Sequence, residues 1–245
     1  SRAVVTFCSS LIFAPPALPA VPTRRSSDVI DAEEADRLEL SLDIVEALAL
    51  DEELSGWDGL GFVVQAYGKR CPYVIDWIID LAKRSGHRIM VRLVKGAYWD
   101  SEIKRSQTEG LPDFPVFTRK VHTDISYIAC ARKLLAARDA IFPQFATHNA
   151  QTMASIYHLA GDGFKIGDYE FQCLHGMGEE LYDEVVGPAK LDRPCRIYAP
   201  GGTHETLLAY LVSRLLATGA NSSFVNQTYA TKVPISDLIA SPVQH

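Results

Sequence analysis

The sequence predicts an α/β fold in which strands and helices alternate along the chain. Two observations lead to this prediction: short, largely apolar runs recur from residue 29 onward, and amphipathic segments with helical spacing separate them. Runs that are apolar on both faces are typical of strands buried in a parallel sheet. Each strand is then joined to the next by a right-handed helical crossover. The six predicted strands lie at 29–30, 61–67, 89–94, 142–147, 169–174 and 195–199.

Five segments between or after these runs predict helices. The segment 32–50 places its apolar residues on a single stripe. The segment 72–84 begins with Pro72, which a first helical turn tolerates, and ends before Gly86. In the segment 203–217, Thr203 fits the N-cap position. The other two predicted helices are 116–137 and 150–160.

Polar and aromatic residues follow most of the predicted strands. Such groups converging from several strand ends are typical of the active face of a (β/α) barrel. A doubly wound open sheet is the alternative. A complete barrel has eight strands and the sequence supplies six, so we expect an incomplete (β/α)8 barrel of the TIM type. The groups concerned are Asp31, residues 65–69, residues 95–99, His148 and Asn149, residues 175–176 and residues 200–202.

The composition of the 245-residue chain excludes several classes of protein. The net charge of −6 argues against a nucleic-acid-binding surface. Five dispersed cysteines without a CxxC pair indicate reduced thiols in a cytosolic protein, and the histidines and cysteines show no metal-ligand spacing. No dinucleotide-binding or phosphate-binding glycine loop appears. The nearest approach to a membrane span, 4–21, is interrupted by three prolines and has only a weak likeness to a signal peptide.

Three tracts carry residues suited to binding a ligand. Arg92 lies on a predicted buried strand, where a cation is costly unless it meets an anion or a ligand, and the turn at 95–99 follows it. A buried ion pair is the alternative role for Arg92. The tract 118–120 opens a helix with two cations and suits a pyrophosphate, but from the residues alone a solvated charged surface is the preferred interpretation. The tract 147–149 could contact a flavin ring or a diphosphate, or serve a structural role.

Six tracts in the same order resemble the proline dehydrogenase domain of the bifunctional bacterial proline-utilisation flavoenzymes. They are 31–39, 61–67, 92–104, 144–149, 170–179 and 193–200, and the likeness runs from about residue 29 to the C-terminus. The resemblance implies a distorted (β/α)8 barrel with FAD at the carboxyl ends of the strands. It implies FAD-dependent oxidation of L-proline to Δ1-pyrroline-5-carboxylate, the first step of proline catabolism to glutamate. A membrane quinone would reoxidise the flavin.

The resemblance also assigns roles to residues of this chain. It places Arg92, Tyr98 and Asp31 in catalysis. The substrate pocket would be formed by Asp31, Ala97, Tyr98, Leu174, Tyr198, Tyr210 and Arg214. The contacts to FAD would come from Gln65, Arg92, Lys95, Gly96, Ala97, Tyr98, Trp99, Thr118, Arg119, Lys120, Thr147, His148, Asn149, Gln172, Cys173, Leu174, Arg214, Ser223 and Phe224. The implied protein is cytoplasmic, peripheral to the inner membrane when reduced, able to form homo-oligomers, and binds no nucleic acid through this segment.

Three positions depart from the pattern of the family. The family has two arginines and a glutamate on its last barrel helix, whereas this chain has Ser213 before Arg214 and Ala217 at the end of the tract. Gly201 replaces an apolar residue, which is a mild change. Losing one arginine that binds a carboxylate predicts weaker proline binding. An inactive barrel fragment with impaired proline binding is therefore the alternative function.

The likeness divides the chain into three parts. Residues 1–28 resemble nothing in the family, and we expect an unassigned leader that arose from a frameshift, a chimeric join or read-through, with a genuine divergent leader as the alternative. Residues 29–232 are expected to form the barrel fragment and 233–245 a C-terminal tail. The first two strands of the family barrel, its DNA-binding module and its aldehyde dehydrogenase have no counterpart in this sequence.

Overall fold

The computed structural model describes residues 11–13, 28–174 and 177–198. These residues contain one seven-stranded sheet in the order β1-β7-β6-β5-β4-β3-β2. The strands are β1 (Leu11–Phe13), β2 (Asp28–Ile30), β3 (Leu60–Gln65), β4 (Ile89–Val94), β5 (Ile141–Ala146), β6 (Glu170–Leu174) and β7 (Cys195–Tyr198). The helices are α1 (Leu38–Ala49), α2 (Cys71–Ser85), α3 (Trp99–Thr108), α4 (Lys120–Ala136), α5 (Ala150–Ala160) and α6 (Glu179–Asp183), with short 3-10 turns at Ala35–Arg37 and Glu52–Leu54.

Strands β2 to β7 are parallel and lie side by side in chain order, so the six predicted strands are confirmed. Four of the predicted helices correspond to α1, α2, α4 and α5, and the fifth, at 203–217, lies outside the described residues. The seventh strand, β1, belongs to the segment expected to be a leader and runs antiparallel to β7, with Leu11 opposite Ile197. No pattern in the sequence predicted this pairing.

The helices cover one face of the sheet, which identifies a partial barrel rather than a doubly wound sheet. Outward-facing strand residues such as Phe62, Leu93 and Phe171 belong to the same buried cluster as Ile75 of α2 and Leu134 of α4. In a doubly wound fold the helices would pack on both faces. The incomplete (β/α) barrel predicted from the sequence is therefore confirmed.

The opposite face, which is the interior of the barrel, combines a small apolar cluster with polar residues. The cluster consists of Val29, Val63 and Met90. Beyond this cluster, toward the carboxyl ends of the strands, Arg92, Gln144 and Glu170 lie side by side. The strand register pairs Arg92 with Gln144 and Gln144 with Glu170. All three are at least nine-tenths buried. Polar side chains therefore fill the interior on the side where the strands end.

Helix α3 was not predicted, and its composition explains why. Its two buried residues are Glu102 and Ser106, so it has no apolar stripe for a periodicity search to detect. The Oε1 atom of Glu102 accepts a hydrogen bond of 2.6 Å from the Ala35 amide, and the Ser106 hydroxyl donates to the Glu102 carbonyl. Hydrogen bonds thus take the place of apolar packing on this helix. Within the described part of the chain, no helix has both the length and the apolar character needed to cross a bilayer.

Candidate active site

The buried cation at the centre of the site is Arg92, on the interior face of β4. Its Nη2 atom lies 3.4 Å from Oδ1 of Asp31, which follows the end of β2. The Arg92 side chain is 7% exposed and the Asp31 side chain 27%, so the pair lies where the barrel interior opens to solvent. The ion pair considered as the alternative for Arg92 is therefore present, and its anion is itself a predicted site residue.

The turn after β4 passes close to an aromatic ring at the end of β3. Gly96 has φ +142°, and a Cβ placed there would lie 2.5 Å from the ring of Tyr67. Only glycine avoids both the steric conflict and the unfavourable backbone conformation. The Tyr67 amide also donates 2.8 Å to the Lys95 carbonyl, so the turn is held at its start. Sequence analysis included Tyr67 only within the strand-end tract 65–69 and assigned it no role, because this contact appears only when β3 and β4 are neighbours.

Gln65, the last residue of β3, contacts the loops on both sides of its strand. Its Nε2 atom donates 2.8 Å to the Glu33 carbonyl in the loop after β2. Its Oε1 atom accepts 3.2 Å from the Ala97 amide in the loop after β4. The resemblance implied a contact between Gln65 and the cofactor, and the structure places the residue among the predicted site residues but with both ends of its amide in use.

Two lysines share a single carboxylate beside this turn. Lys95 Nζ lies 2.5 Å from Oδ1 of Asp124, and Lys120 Nζ lies 2.7 Å from Oδ2. Burial lowers the pKa of Lys95, and the attraction of Asp124 offsets part of that effect. Burial also raises the pKa of Asp124, but the two lysines outweigh it and the net shift is downward. Lys95 and Lys120 were predicted from the sequence, whereas Asp124, four residues after Lys120, was missed.

The predicted tract 147–149 follows β5 and contacts the end of β6. The Leu174 amide donates 3.4 Å to Nε2 of His148, so two predicted site residues from adjacent strands are in contact. Asn149 is the N-cap of α5, because its Oδ1 atom accepts 3.0 Å from the Thr152 amide. Thr147 Oγ1 accepts 3.1 Å from the Asn149 amide. Structural hydrogen bonds therefore fix the orientation of the whole tract.

Trp99 and the tract 118–120 lie near one another on the outer side of the site. Trp99 Nε1 donates 2.8 Å to the Phe117 carbonyl, and the indole is about two-fifths exposed. Thr118, Arg119 and Lys120 are exposed at the start of α4. Tyr98 is the N-cap residue of α3. These residues extend the site from the barrel interior along its rim.

Gln172 and Cys173 of β6 point to opposite faces of the sheet. Gln172 lies in the interior, where its Nε2 atom donates 2.9 Å to Glu170. The Cys173 thiol lies on the helix side, 3.7 Å from the Cys195 thiol and within the outer core. Successive side chains on a strand alternate between the faces, so the structure brings Gln172 and Leu174 to the interior but not the Cys173 side chain.

A layer of polar side chains that the sequence analysis missed lies deeper in the barrel interior than the strand-end residues. Glu170 accepts 2.6 Å and 3.0 Å hydrogen bonds from Arg196 of β7, and its Oε1 atom also accepts from Gln144 and Gln172. The available signal was the alternation of polar and apolar residues in β6, which indicates two different faces.

The side chain of Tyr198 and the whole of Tyr210, Arg214, Ser223 and Phe224 lie outside the described residues, as do the departures Gly201, Ser213 and Ala217.

The fold and the site together define a (β/α)-barrel protein whose ligand site lies at the carboxyl ends of its strands. Arg92, Tyr98, His148 and Leu174 all lie at this end of the sheet or on its interior face. The family model described as proline dehydrogenase matches residues 20–227. The chain belongs to the proline dehydrogenase family, as the sequence resemblance predicted.

Several relatives support this assignment. The chain is 73% identical over 216 residues to the bifunctional protein PutA of Rhizobium meliloti and 66% identical over 218 residues to that of Salmonella typhimurium. Each alignment covers 88% of this chain but only 18% and 16% of the relative, so the chain spans about a sixth of these proteins' length.

Solved structures of other PutA proteins share the fold. A bifunctional proline utilization A (PutA) structure is 55% identical, with a TM-score of 0.83, and the superposition covers 88% of this chain and 22% of that one. The PutA of Bdellovibrio bacteriovorus inactivated by N-propargylglycine is 32% identical, with a TM-score of 0.81 over 88% of this chain and 22% of that one.

Proposed function

We propose that this chain carries the FAD-binding and proline-oxidising centre of a proline dehydrogenase, converting L-proline to Δ1-pyrroline-5-carboxylate. The family assignment and the names of its relatives support proline as the substrate. The observation that carries the proposal is the Arg92–Asp31 pair, which holds a buried cation at the mouth of a barrel of this family. FAD, when bound, would accept the hydride that proline loses.

The residues at the strand ends fit this cofactor. On the interior face, Oε1 of Gln144 and Oε1 of Gln172 are buried without a hydrogen-bond partner among the described residues. Leaving a buried acceptor unpaired costs about 1–3 kcal/mol, which favours a ligand that brings donors. Lys95 and Lys120 share one carboxylate, so a net positive charge remains for a diphosphate. The rim residues Thr118 and Arg119 and the tract 147–149 would complete the cofactor contacts.

Arg92 would act through its charge. A fixed cation next to a ring that gains electron density stabilises the reduced state, and burial strengthens the interaction because water is excluded. Asp31 would hold the guanidinium in place and, at the edge of the pocket, face the substrate. Ala97, Tyr98 and Leu174 would enclose the pyrrolidine ring together with Tyr198 and Tyr210, while Arg214 would bind the carboxylate of proline.

The substitution of an arginine by Ser213 leads to a specific expectation. A charge-assisted hydrogen bond contributes about 1.5–3 kcal/mol, so its loss weakens binding by roughly ten- to a hundred-fold. Changing Ser213→Arg should lower the Michaelis constant for proline by at least about ten-fold. Steady-state kinetics of the two forms, measured with the same FAD content, test this. Equal Michaelis constants would show that the missing arginine has no part in proline binding.

We further propose that a membrane quinone reoxidises the flavin and that the working protein is cytoplasmic, attaching to the inner membrane surface when reduced. An inactive fragment is the second candidate function. The open edge of β2 favours this second candidate. Within the described ranges β2 has a single strand neighbour, and open strand edges promote aggregation.

Reconstitution of the purified chain with FAD separates the two candidates. We expect a yellow protein whose flavin absorption bleaches with L-proline under anaerobic conditions and recovers when a soluble quinone is added. A D-proline addition serves as the control. Colourless, aggregated protein in size-exclusion chromatography would instead support the inactive fragment.

A further inference from the structure

Strand β3 is bound unequally to its two neighbours near its end. On the β4 side the backbone hydrogen bonds continue past the strand, from the Ala66 amide to the Val94 carbonyl and from the Tyr67 amide to the Lys95 carbonyl. On the β2 side the register ends where Ile30 pairs with Phe62. The loop after β2, residues 31–34, therefore runs beside β3 after the strand pairing has ended.

The side chain of Gln65 connects β3 to the loop after β2, beyond the point where the pairing of β2 with β3 ends. A carboxamide has a donor end and an acceptor end, and Gln65 uses the donor on Glu33 and the acceptor on Ala97. Each partner is 32 residues away along the chain, in opposite directions. One side chain thus connects the loop that carries Asp31 with the loop that carries Ala97 and Tyr98.

Contacts other than those of Gln65 also hold the two loops, including ion pairs from Glu33 and Glu34 to Arg37 of the next turn. Asp31 pairs with Arg92 at the start of the first loop, and the Ala35 amide donates to Glu102 just after it. In the second loop, Gly96 lies against the ring of Tyr67. Gln65 holds the middle of both loops, at the Glu33 carbonyl and the Ala97 amide.

We propose that Gln65 is a positioning residue that couples these two loops and thereby sets the position of Asp31 relative to Ala97 and Tyr98. This role deepens the proposed function and rests on it, because the proposed function places Asp31 of the first loop and Ala97 and Tyr98 of the second loop around proline. The coupling differs from the cofactor contact that the family resemblance implies, and the two roles predict different outcomes for the same variants.

Hydrogen exchange of the free chain measures the coupling directly. In Gln65→Met both hydrogen bonds are lost, so exchange should accelerate about five- to ten-fold at Ala97 and also at Ala32 and Ala35 in the other loop. In Gln65→Glu the carboxylate still accepts from Ala97 but cannot donate to Glu33. Exchange should then accelerate at Ala32 and Ala35 alone, while Ala97 stays protected.

Gln107 provides the matched control, because it is exposed on α3 and both substitutions make the same chemical change there. Gln107→Met and Gln107→Glu should alter exchange in neither loop. If Gln65→Met changes one loop only, or neither, the coupling is overturned. If Gln65→Met fails to fold, the nearly isosteric Gln65→Glu still decides, because its predicted pattern separates the two loops.

Ligand measurements then separate positioning from cofactor contact. For Gln65→Met we expect the Michaelis constant for L-proline to rise about ten-fold while the dissociation constant for FAD changes less than two-fold. A parallel loss of FAD affinity with unchanged exchange in both loops would make Gln65 a cofactor contact and overturn the positioning role. If the unmodified chain neither binds FAD nor oxidises proline, the proposed function fails and the pocket role fails with it, while the exchange pattern still reports whether the loops are coupled.

Discussion

The two faces of the sheet bury different kinds of side chain. On the outer face, Phe62, Leu93 and Phe171 pack against the helices in one apolar cluster. On the inner face, Arg92 and Glu170 are also buried but are charged. Burying apolar area stabilises the fold, whereas burying charge costs free energy unless each ion is paired. The outer face therefore provides the stability of the barrel, and the inner face retains groups whose value lies in binding and chemistry.

The largest effect should come from truncating the outer face. Phe62 is 1% exposed, so Phe62→Ala removes a buried ring and leaves a cavity. We expect the free energy of unfolding to fall by about 3–5 kcal/mol, measured by urea denaturation. The conservative change Phe62→Leu should cost much less. A loss below about 1 kcal/mol for Phe62→Ala would mean that the outer face does not carry the stability assigned to it.

Substitutions on the inner face should instead change the activity. Arg92→Met removes the cation and leaves Asp31 at a partly exposed position, where solvent moderates the cost of the unpaired charge. We expect the rate of flavin reduction by proline to fall by about a hundred-fold or more, as for loss of a preorganised electrostatic group, with a much smaller change in stability. Stopped-flow absorbance and urea denaturation of the same samples provide the two numbers. A collapse in stability with normal flavin reduction would reverse the comparison between the faces.

The smallest effect concerns the charge of Lys95. Burial lowers its pKa in the folded state, so the unfolded chain binds more protons between that value and the ordinary 10.5. The penalty for burying the charge is therefore fully present below the lowered pKa and is relieved as the pH rises toward 10.5. We expect wild type to gain stability relative to Lys95→Met across this alkaline range. Urea denaturation at several pH values checks the sign, and a stability of wild type relative to Lys95→Met that stays constant or falls as the pH rises would contradict it.

The same contrast explains how much of the structure the sequence could predict. Apolar runs such as 61–67 and 89–94 identify strands because both faces of these strands are buried, so apolar residues occupy most successive positions. Helix α3 was not predicted because two polar residues, Glu102 and Ser106, occupy its buried positions. Cys173 was grouped with Gln172 through the family resemblance, although the pleat of β6 sends its thiol to the helix side.

Interior contacts were harder to predict because they join residues that are distant in sequence. The hydrogen bonds between Glu170 and Arg196 depend on the register of β6 and β7, and the contact of Lys95 with Asp124 depends on how α4 packs beside the turn after β4. Arg92 was an exception. A cation on an otherwise apolar strand is unusual enough to predict a buried partner, and that partner is Asp31.

The two ends of the sheet offer different starting points for fragment complementation. At one end β7 is already paired with the reversed strand β1, whereas at the other end β2 has one neighbour in the part of the chain described. A synthetic peptide supplied in trans could therefore extend the sheet beside Asp28–Ile30, and it would need to align parallel to β2 to continue the direction of the barrel. Such a peptide would turn the open edge into a controllable assembly point, with flavin colour as the signal that the two pieces have joined.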